Sequence, residues 1–137
     1  QTVAVVIGDR EFDDDNVPDR GTVLSVCAGL VTVDEQSQVI RLVHYTAQEY
    51  FTKQGAWFPE PESYIAKACI TYLSFNNFAS GICHTADQFT KRLRTNPLYG
   101  YAARFWGEHI EEDVETQQEV LQFLISDSNV ASSSQVL

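Results

Sequence analysis

Three histidines, three cysteines and nineteen carboxylates are the residues of this chain with chemistry to offer, and His44 is the most sharply placed of them. Residues 30–33 and 39–44 are two β-branched runs around a polar turn, the pattern of a β-hairpin. A helix start follows at once: Thr46 and Glu49 are spaced as a capping box, with Tyr45 and Tyr50 at the two ends of a hydrophobic staple. His44 is then the last strand residue, beside the unpaired N–H groups of a helix N-terminus. Strand parity puts it on the face of Ile40 and Leu42, pointing inward. An inward imidazole there is either a hydrogen-bonded core residue or a contact for a phosphate, since the helix end already favours an anion.

The other reactive residues form weaker patterns. Asp13, Asp14, Asp15 and Asn16 invite a calcium reading, but an EF-hand loop needs acids at alternate positions and a glycine at the sixth, where Pro18 stands. Cys83 and His84 are adjacent, yet zinc needs four ligands and no second pair lies nearby. His109 continues the spacing of Leu98, Tyr101 and Phe105, which points to capping or packing. No G-x-x-x-x-G-K-[ST] loop cradles a phosphate, and Gly100 and Gly107 are isolated helical glycines. No G-x-S-x-G elbow presents a serine: Ser25 lies within an expected helix, and Ser80 has no glycine in the matching upstream position. The expectation is therefore no catalytic residue and no metal site in this chain. Cys27, Cys69 and Cys83 are odd in number; Cys27 and Cys69 read as small buried hydrophobes, and a reducing, cytoplasmic setting fits.

The elements around these residues read as follows. Residues 3–7 are a short strand ended by Gly8, and residues 9–16 a solvated acidic loop. A helix opens near Asn16 or Val17 with Pro18 in its first turn; Val23, Val26, Cys27 and Leu30 form its stripe and Gly29 stops it. Gly21 weakens this helix by about 1 kcal/mol relative to alanine. Residues 55–61, with Trp57, Phe58, Pro59 and Pro61, are turn-rich, and the two aromatics are packing anchors or a contact between the flanking parts. Beyond them Ile65, Ala68, Cys69, Tyr72 and Leu73 make an apolar helical stripe. Thr85 with Gln88 caps a helix that buries Phe89 and Leu93. Asn96 and Pro97 open another, with a stripe of Leu98, Tyr101, Ala102, Phe105 and Trp106. Thr116 with Glu119 caps a last one, leading into Val120, Leu121, Leu124 and Ile125. Residues 126–137 are Ser-rich and read as frayed.

Two groups of residues resemble a known family. Residues 26–34 with 40–51 resemble the winged-helix segment that follows the NACHT ATPase core in fungal NOD-like STAND proteins. That winged-helix type is sometimes labelled after glycosylphosphatidylinositol inositol-deacylases. Residues 64–75 and 96–107 resemble the helical region that joins it to C-terminal ankyrin repeats. The resemblance implies an α+β, mostly α chain: a partial winged helix (strand, helix and β-hairpin wing) followed by a small antiparallel helical bundle. The division is a partial winged-helix domain at 1–54, a linker at 55–62, a helical domain at 63–126 and a frayed tail at 127–137. The first helix of the winged domain lies upstream of Gln1, so the chain reads as a fragment. The resemblance further implies that His44 contacts the β-phosphate of ADP held in the NACHT domain of the full-length protein, where ATP, ADP and magnesium bind. The segment itself has no cofactor, and its partners are the upstream NACHT domain and the downstream ankyrin repeats in cis, with oligomerisation of the full-length protein.

Charge bounds the alternatives. Nine basic against nineteen acidic residues give a net charge of −10, whereas a nucleic-acid binder needs clustered cations to displace counterions. Lys91, Arg92 and Arg94 are the basic cluster, at an expected helix end where the macrodipole favours cations. A DNA-binding winged helix is disfavoured, because Arg20 is the single basic residue of the helix it would use. A hydrolase would need catalytic residues elsewhere. No membrane partner is expected: the apolar run at 3–7 is far shorter than the roughly 20 residues a bilayer span requires, and no basic leader region precedes it.

Overall fold

A computed structural model describes residues 2–54, 60–110 and 114–137. The chain is mostly helical, with a two-stranded antiparallel sheet. It forms two compact units: residues Pro18–Pro59, and a larger unit made of Gln1–Val17 together with Glu60–Leu137. The break expected near residue 55 is thus joined by another near 17. Trp57 and Phe58 lie outside the described residues.

In the smaller unit, helix α1 (Arg20–Val26) leads through a turn to strand β1 (Val31–Val33), strand β2 (Ile40–Leu42) and helix α2 (Tyr45–Lys53). The expected hairpin is present, with Val31 opposite Leu42, Thr32 opposite Arg41 and Val33 opposite Ile40. Its turn is tied by the Asp34 carboxylate, which accepts from the backbone N–H and hydroxyl of Ser37 at 2.8 Å each and pairs with Arg41. Helix α1 starts later than Pro18 because Asp19 is a better cap: its carboxylate accepts from the backbone N–H of Thr22 at 3.1 Å and from the Thr22 hydroxyl. These bonds favour the ionised form and hold the Asp19 carboxyl below its ordinary value of 3.8. The turn after α1 takes left-handed backbone at Ala28 and Gly29 (φ 48° and 82°). That conformation suits the glycine and strains the alanine.

The larger unit is built around helix α3 (Pro61–Leu73), with Pro61 in its first turn, so the linker expected at 55–62 gives way to helix two residues early. Of the expected stripe Ala68, Cys69, Tyr72 and Leu73 are buried and Ile65 is half-buried, but Ser63, Ala66, Ile70 and Thr71 are buried as well. A helix covered nearly all round is a core element. Burial raises the Cys69 thiol to about 11 and the Tyr72 hydroxyl to about 12, which keeps both protonated and inert.

Residues 3–7 are not a strand. Thr2–Ala4 is a 3-10 turn, and Ala4 and Val5 are buried in the larger unit. Five β-branched and small residues in a row do not by themselves separate a strand from any other buried segment. The acidic stretch that follows is tied to the same unit: the carbonyl of Arg10 accepts from the N–H of Asn76 at 2.9 Å, and Phe12 meets Tyr72 edge to face at 6.0 Å.

After a 3-10 turn at Asn76–Phe78 and a left-handed Gly81 (φ 74°) comes helix α4 (Ala86–Thr95). Its capping box forms as expected: the Thr85 hydroxyl accepts from the Gln88 N–H at 3.2 Å. The Gln88 carboxamide reaches back to the N–H of His84 at 3.0 Å. Phe89 packs on the core; Leu93, expected inside, is exposed. Helix α5 (Tyr99–Phe105) continues into a 3-10 turn at Trp106–His109. It starts after Pro97, and its buried face is Leu98, Tyr99, Ala102 and Ala103, whereas Tyr101 and Phe105 are exposed. Two forces set that rotation. Tyr99 stacks on Phe78 (4.7 Å, 14°), and paired alanines permit close packing on α3.

Helix α6 (Val114–Ile125) begins before Thr116, so Thr116 is an interior, buried residue and not a cap. Phe123 is its buried anchor, edge to face with Trp106 at 5.7 Å, while Leu121, Leu124 and Ile125 are exposed. The tail expected to fray at 127–137 is helix α7 (Asp127–Ser134), in which Asn129, Ser132 and Ser133 are buried, followed by a buried Val136. Hydrogen bonds hold it in place of apolar side chains. The Asn129 carboxamide donates to the Leu73 carbonyl at 2.9 Å, capping the end of α3. The Tyr99 hydroxyl donates to the Ser132 carbonyl at 2.5 Å. Among the described residues, no helix is long and apolar enough to cross a membrane.

Candidate functional site

The β2 strand ends at Leu42, and Val43 adds one further bond, its N–H donating to the Leu30 carbonyl at 3.0 Å. His44 follows in extended backbone (φ −148°, ψ 145°) and is itself the N-cap of α2. The helix therefore starts at Tyr45, two residues before the capping box would place it. The His44 Nδ1 atom accepts from the Thr46 N–H at 3.2 Å and lies 2.9 Å from the Thr46 hydroxyl. An imidazole nitrogen that accepts carries no proton, so this pattern assigns the ring proton of the neutral form to Nε2.

His44 does not point inward. His44, Tyr45 and Thr46 are all exposed, and the imidazole lies against the Tyr45 ring at 4.8 Å. Parity fails here because the strand stops two residues short and the capping bond turns the side chain along the helix. What results is an exposed Nε2–H at the N-terminal end of a nine-residue helix. Both the ring donor and the helix end favour an oxyanion.

The remaining sequence candidates resolve into structural roles. Asp13 caps a short 3-10 turn at Asp14–Asn16, accepting from the Asp15 N–H at 2.9 Å. No three metal-ligating side chains gather among the described residues. Arg20 donates to the Gln38 carboxamide oxygen at 2.8 Å within its own unit. Cys27 is a half-buried C-cap residue of α1, less enclosed than its apolar run implied.

His109, expected to cap or to pack, lies in a chain of side-chain bonds that no sequence pattern announces. Its Nε2 lies 2.7 Å from the Tyr101 hydroxyl, and its Nδ1 lies 2.5 Å from a carboxylate oxygen of Glu62. A carboxylate only accepts, so Nδ1 carries a proton, and in the neutral imidazole Nε2 accepts from the tyrosine. Burial, the Cys69 thiol and the Glu62 and Glu108 carboxylates all raise the Tyr101 hydroxyl above its ordinary value. The hydroxyl keeps its proton and works as a donor. The line fastens the 3-10 turn after α5 to the first turn of α3. Glu62 stands 47 residues away from His109 in sequence, which is why only the fold reveals it.

Beyond single residues, the smaller unit has a property of its own: none of its described residues is buried. Val26, Val39, Val43 and Tyr45 are each more than half exposed, and Leu30, Ile40 and Tyr50 are exposed as well. No protein-family model matches the chain, and no curated protein or solved structure matches it.

Proposed function

We propose that the chain is a non-catalytic regulatory and interaction segment of a NACHT-type STAND signalling ATPase, of the fungal NOD-like kind. It couples the nucleotide state of an upstream NACHT domain to C-terminal ankyrin-type repeats, in the cytoplasm. The helix, hairpin and helix of residues 20–53 are the part of a winged helix that docks on the ATPase core. ADP or ATP with magnesium is held by that core and not by this segment. His44 reaches the nucleotide phosphates from outside the core.

The observation that carries this reading is the smaller unit, none of whose described residues is buried. A hairpin and two short helices are too little to enclose a core, so their apolar side chains need another surface to cover them. The exposed His44 Nε2–H on this unit supplies a phosphate donor where such a surface would lie. The exposed Leu121, Leu124 and Ile125 on α6 offer a second apolar patch, on the unit that precedes the proposed repeats.

The coding sequence on both sides is the first test: a phosphate-cradling loop ahead and repeats of about 33 residues behind are expected, and the absence of both ends the proposal. The second test uses the full-length protein. His44→Asn keeps an N-cap side chain but removes the imidazole, whereas His44→Ala removes both. Faster ADP release in both variants is expected. ADP release unchanged in His44→Asn would show that the imidazole only caps a helix.

A further inference from the structure

A cleft of about 720 Å³ runs along α4 and the loop before it, lined among others by Asn77, Ser80, His84, Gln88, Lys91 and Arg92. Not one of its lining residues is a carboxylate, in a chain whose acids outnumber its bases by nineteen to nine. We propose that this cleft is a binding site for a small organic ligand bearing a multiply charged oxyanion. The proposal is independent of any role of His44, which belongs to the other unit.

Arg92 is the centre of the argument. Its guanidinium is half-buried and donates to the Gly81 carbonyl at 2.7 Å, the Ser132 hydroxyl at 2.9 Å and the Ser80 hydroxyl at 3.0 Å. It also lies over the Phe78 ring, 5.9 Å from the centroid. Every one of those partners is neutral. They fix the planar group in place without offsetting its charge, and a partly desolvated cation is costly until an anion meets it. A guanidinium has five N–H donors; these three bonds leave two of them for a ligand. The Lys91 ammonium next to it makes no ion pair among the described residues.

The Lys91 carbonyl accepts from the Thr95 hydroxyl at 2.9 Å. The Arg92 carbonyl accepts from the backbone N–H of Asn96 at 3.0 Å and from its carboxamide at 2.8 Å. The carbonyls of Lys91 and Arg92 are thus met by Thr95 and Asn96, and the Lys91 and Arg92 side chains line the cleft.

Neutral donors and an apolar wall complete the site. The Gln88 oxygen is taken by the His84 N–H, which leaves the carboxamide NH₂ as a donor, and the exposed His84 imidazole adds another. Ile82, 47% exposed, gives the organic part of a ligand something to lie against. The volume falls in the range of small-molecule sites, roughly 300–1,000 Å³, and exceeds what a bare inorganic ion fills. Phosphate and carboxylate are both served by this donor set.

Titration of the whole chain with pyrophosphate and with citrate, followed by amide NMR shifts at constant ionic strength, tests the site. Saturable shifts confined to α4 and the preceding loop are expected from at least one probe. Pyrophosphate alone would identify a phosphate ligand and citrate alone a polycarboxylate; binding of both leaves the oxyanion as the shared determinant. Lys91→Gln should weaken binding by about tenfold, the loss of one charge-assisted contact to the ligand. Arg92→Lys should weaken it at least as much, because it keeps the charge and loses the planar fork. Arg94→Gln, on the same helix but outside the lining, should leave affinity unchanged. If Arg92→Lys fails to fold, Lys91→Gln against Arg94→Gln decides the matter. No saturable shift with either probe, or equal losses in those two variants, overturns the proposal.

Discussion

The side-chain carboxamide of Gln135 pairs with both backbone groups of Cys83: its oxygen accepts from the N–H at 2.7 Å and its nitrogen donates to the carbonyl at 2.8 Å. Two residues from the end of the sequence, a glutamine thus serves as a strand partner for the loop that leads into α4. Gln135→Ala should cost about 1–3 kcal/mol, the penalty for leaving partly buried backbone groups unpaired. A urea melt of the chain measures it. Unchanged stability would mean that water replaces the amide at no cost.

Phe78→Ala should be more severe. The ring is fully buried, stacked on Tyr99 and covered by the Arg92 guanidinium. Truncating a buried phenylalanine typically costs about 3–5 kcal/mol. Tyr99→Phe keeps the stack and removes one bond to the Ser132 carbonyl, which still accepts from the Gln135 N–H at 3.2 Å; its smaller loss, about 0.5–1.5 kcal/mol, separates the hydrogen bond from the packing. Equal melts for the two variants would contradict that division.

Acid should unwind α1 first at its N-terminus. The folded-state pKa of Asp19 lies below its ordinary value of 3.8. The capping bonds therefore stabilise fully above the unfolded value and are lost as pH falls through the folded one. The Thr22 amide resonance should report that loss. A Thr22 amide indifferent to pH through the acid range would show that the cap does not form in solution.

The smaller unit should bind an apolar dye. Val26, Val39 and Tyr45 are 75%, 55% and 66% exposed, and replacing them with serine or glutamine should reduce dye fluorescence while leaving the melt of the larger unit unchanged. Undiminished dye fluorescence in the triple variant would place the sticky surface elsewhere.

What sequence reading captured was local. The hairpin of residues 31–42 and the capping box of Thr85 and Gln88 each depend on neighbours a few positions apart, and both formed. His44 was singled out by the same reasoning, with the helix start misplaced by two residues and the side chain turned the wrong way. A single capping bond decides such a boundary, and two plausible caps stood two positions apart. The misses were tertiary. Serine-rich α7 has no apolar period to detect, because Asn129, Ser132 and Gln135 hold it through hydrogen bonds to residues dozens of positions away. Tyr101 and Phe105 fitted a helical stripe, yet Tyr99 won the interior through its stack on Phe78 and its bond to Ser132. Nothing in the spacing of Glu62, Tyr101 and His109 announces that they meet.

The larger unit is discontinuous: Val5 and Phe12 from one end and Val136 from the other close around the same helix α3. During synthesis, residues 2–17 leave the ribosome before a single one of their α3 neighbours has been made. They must wait through the whole of residues 18–59, and the unit stays unfinished until Gln135 and Val136 are released. Its early apolar residues are thus exposed until α3 and the elements packed on it have emerged, a window in which a chaperone has more to guard in residues 2–17 than in residues 127–136.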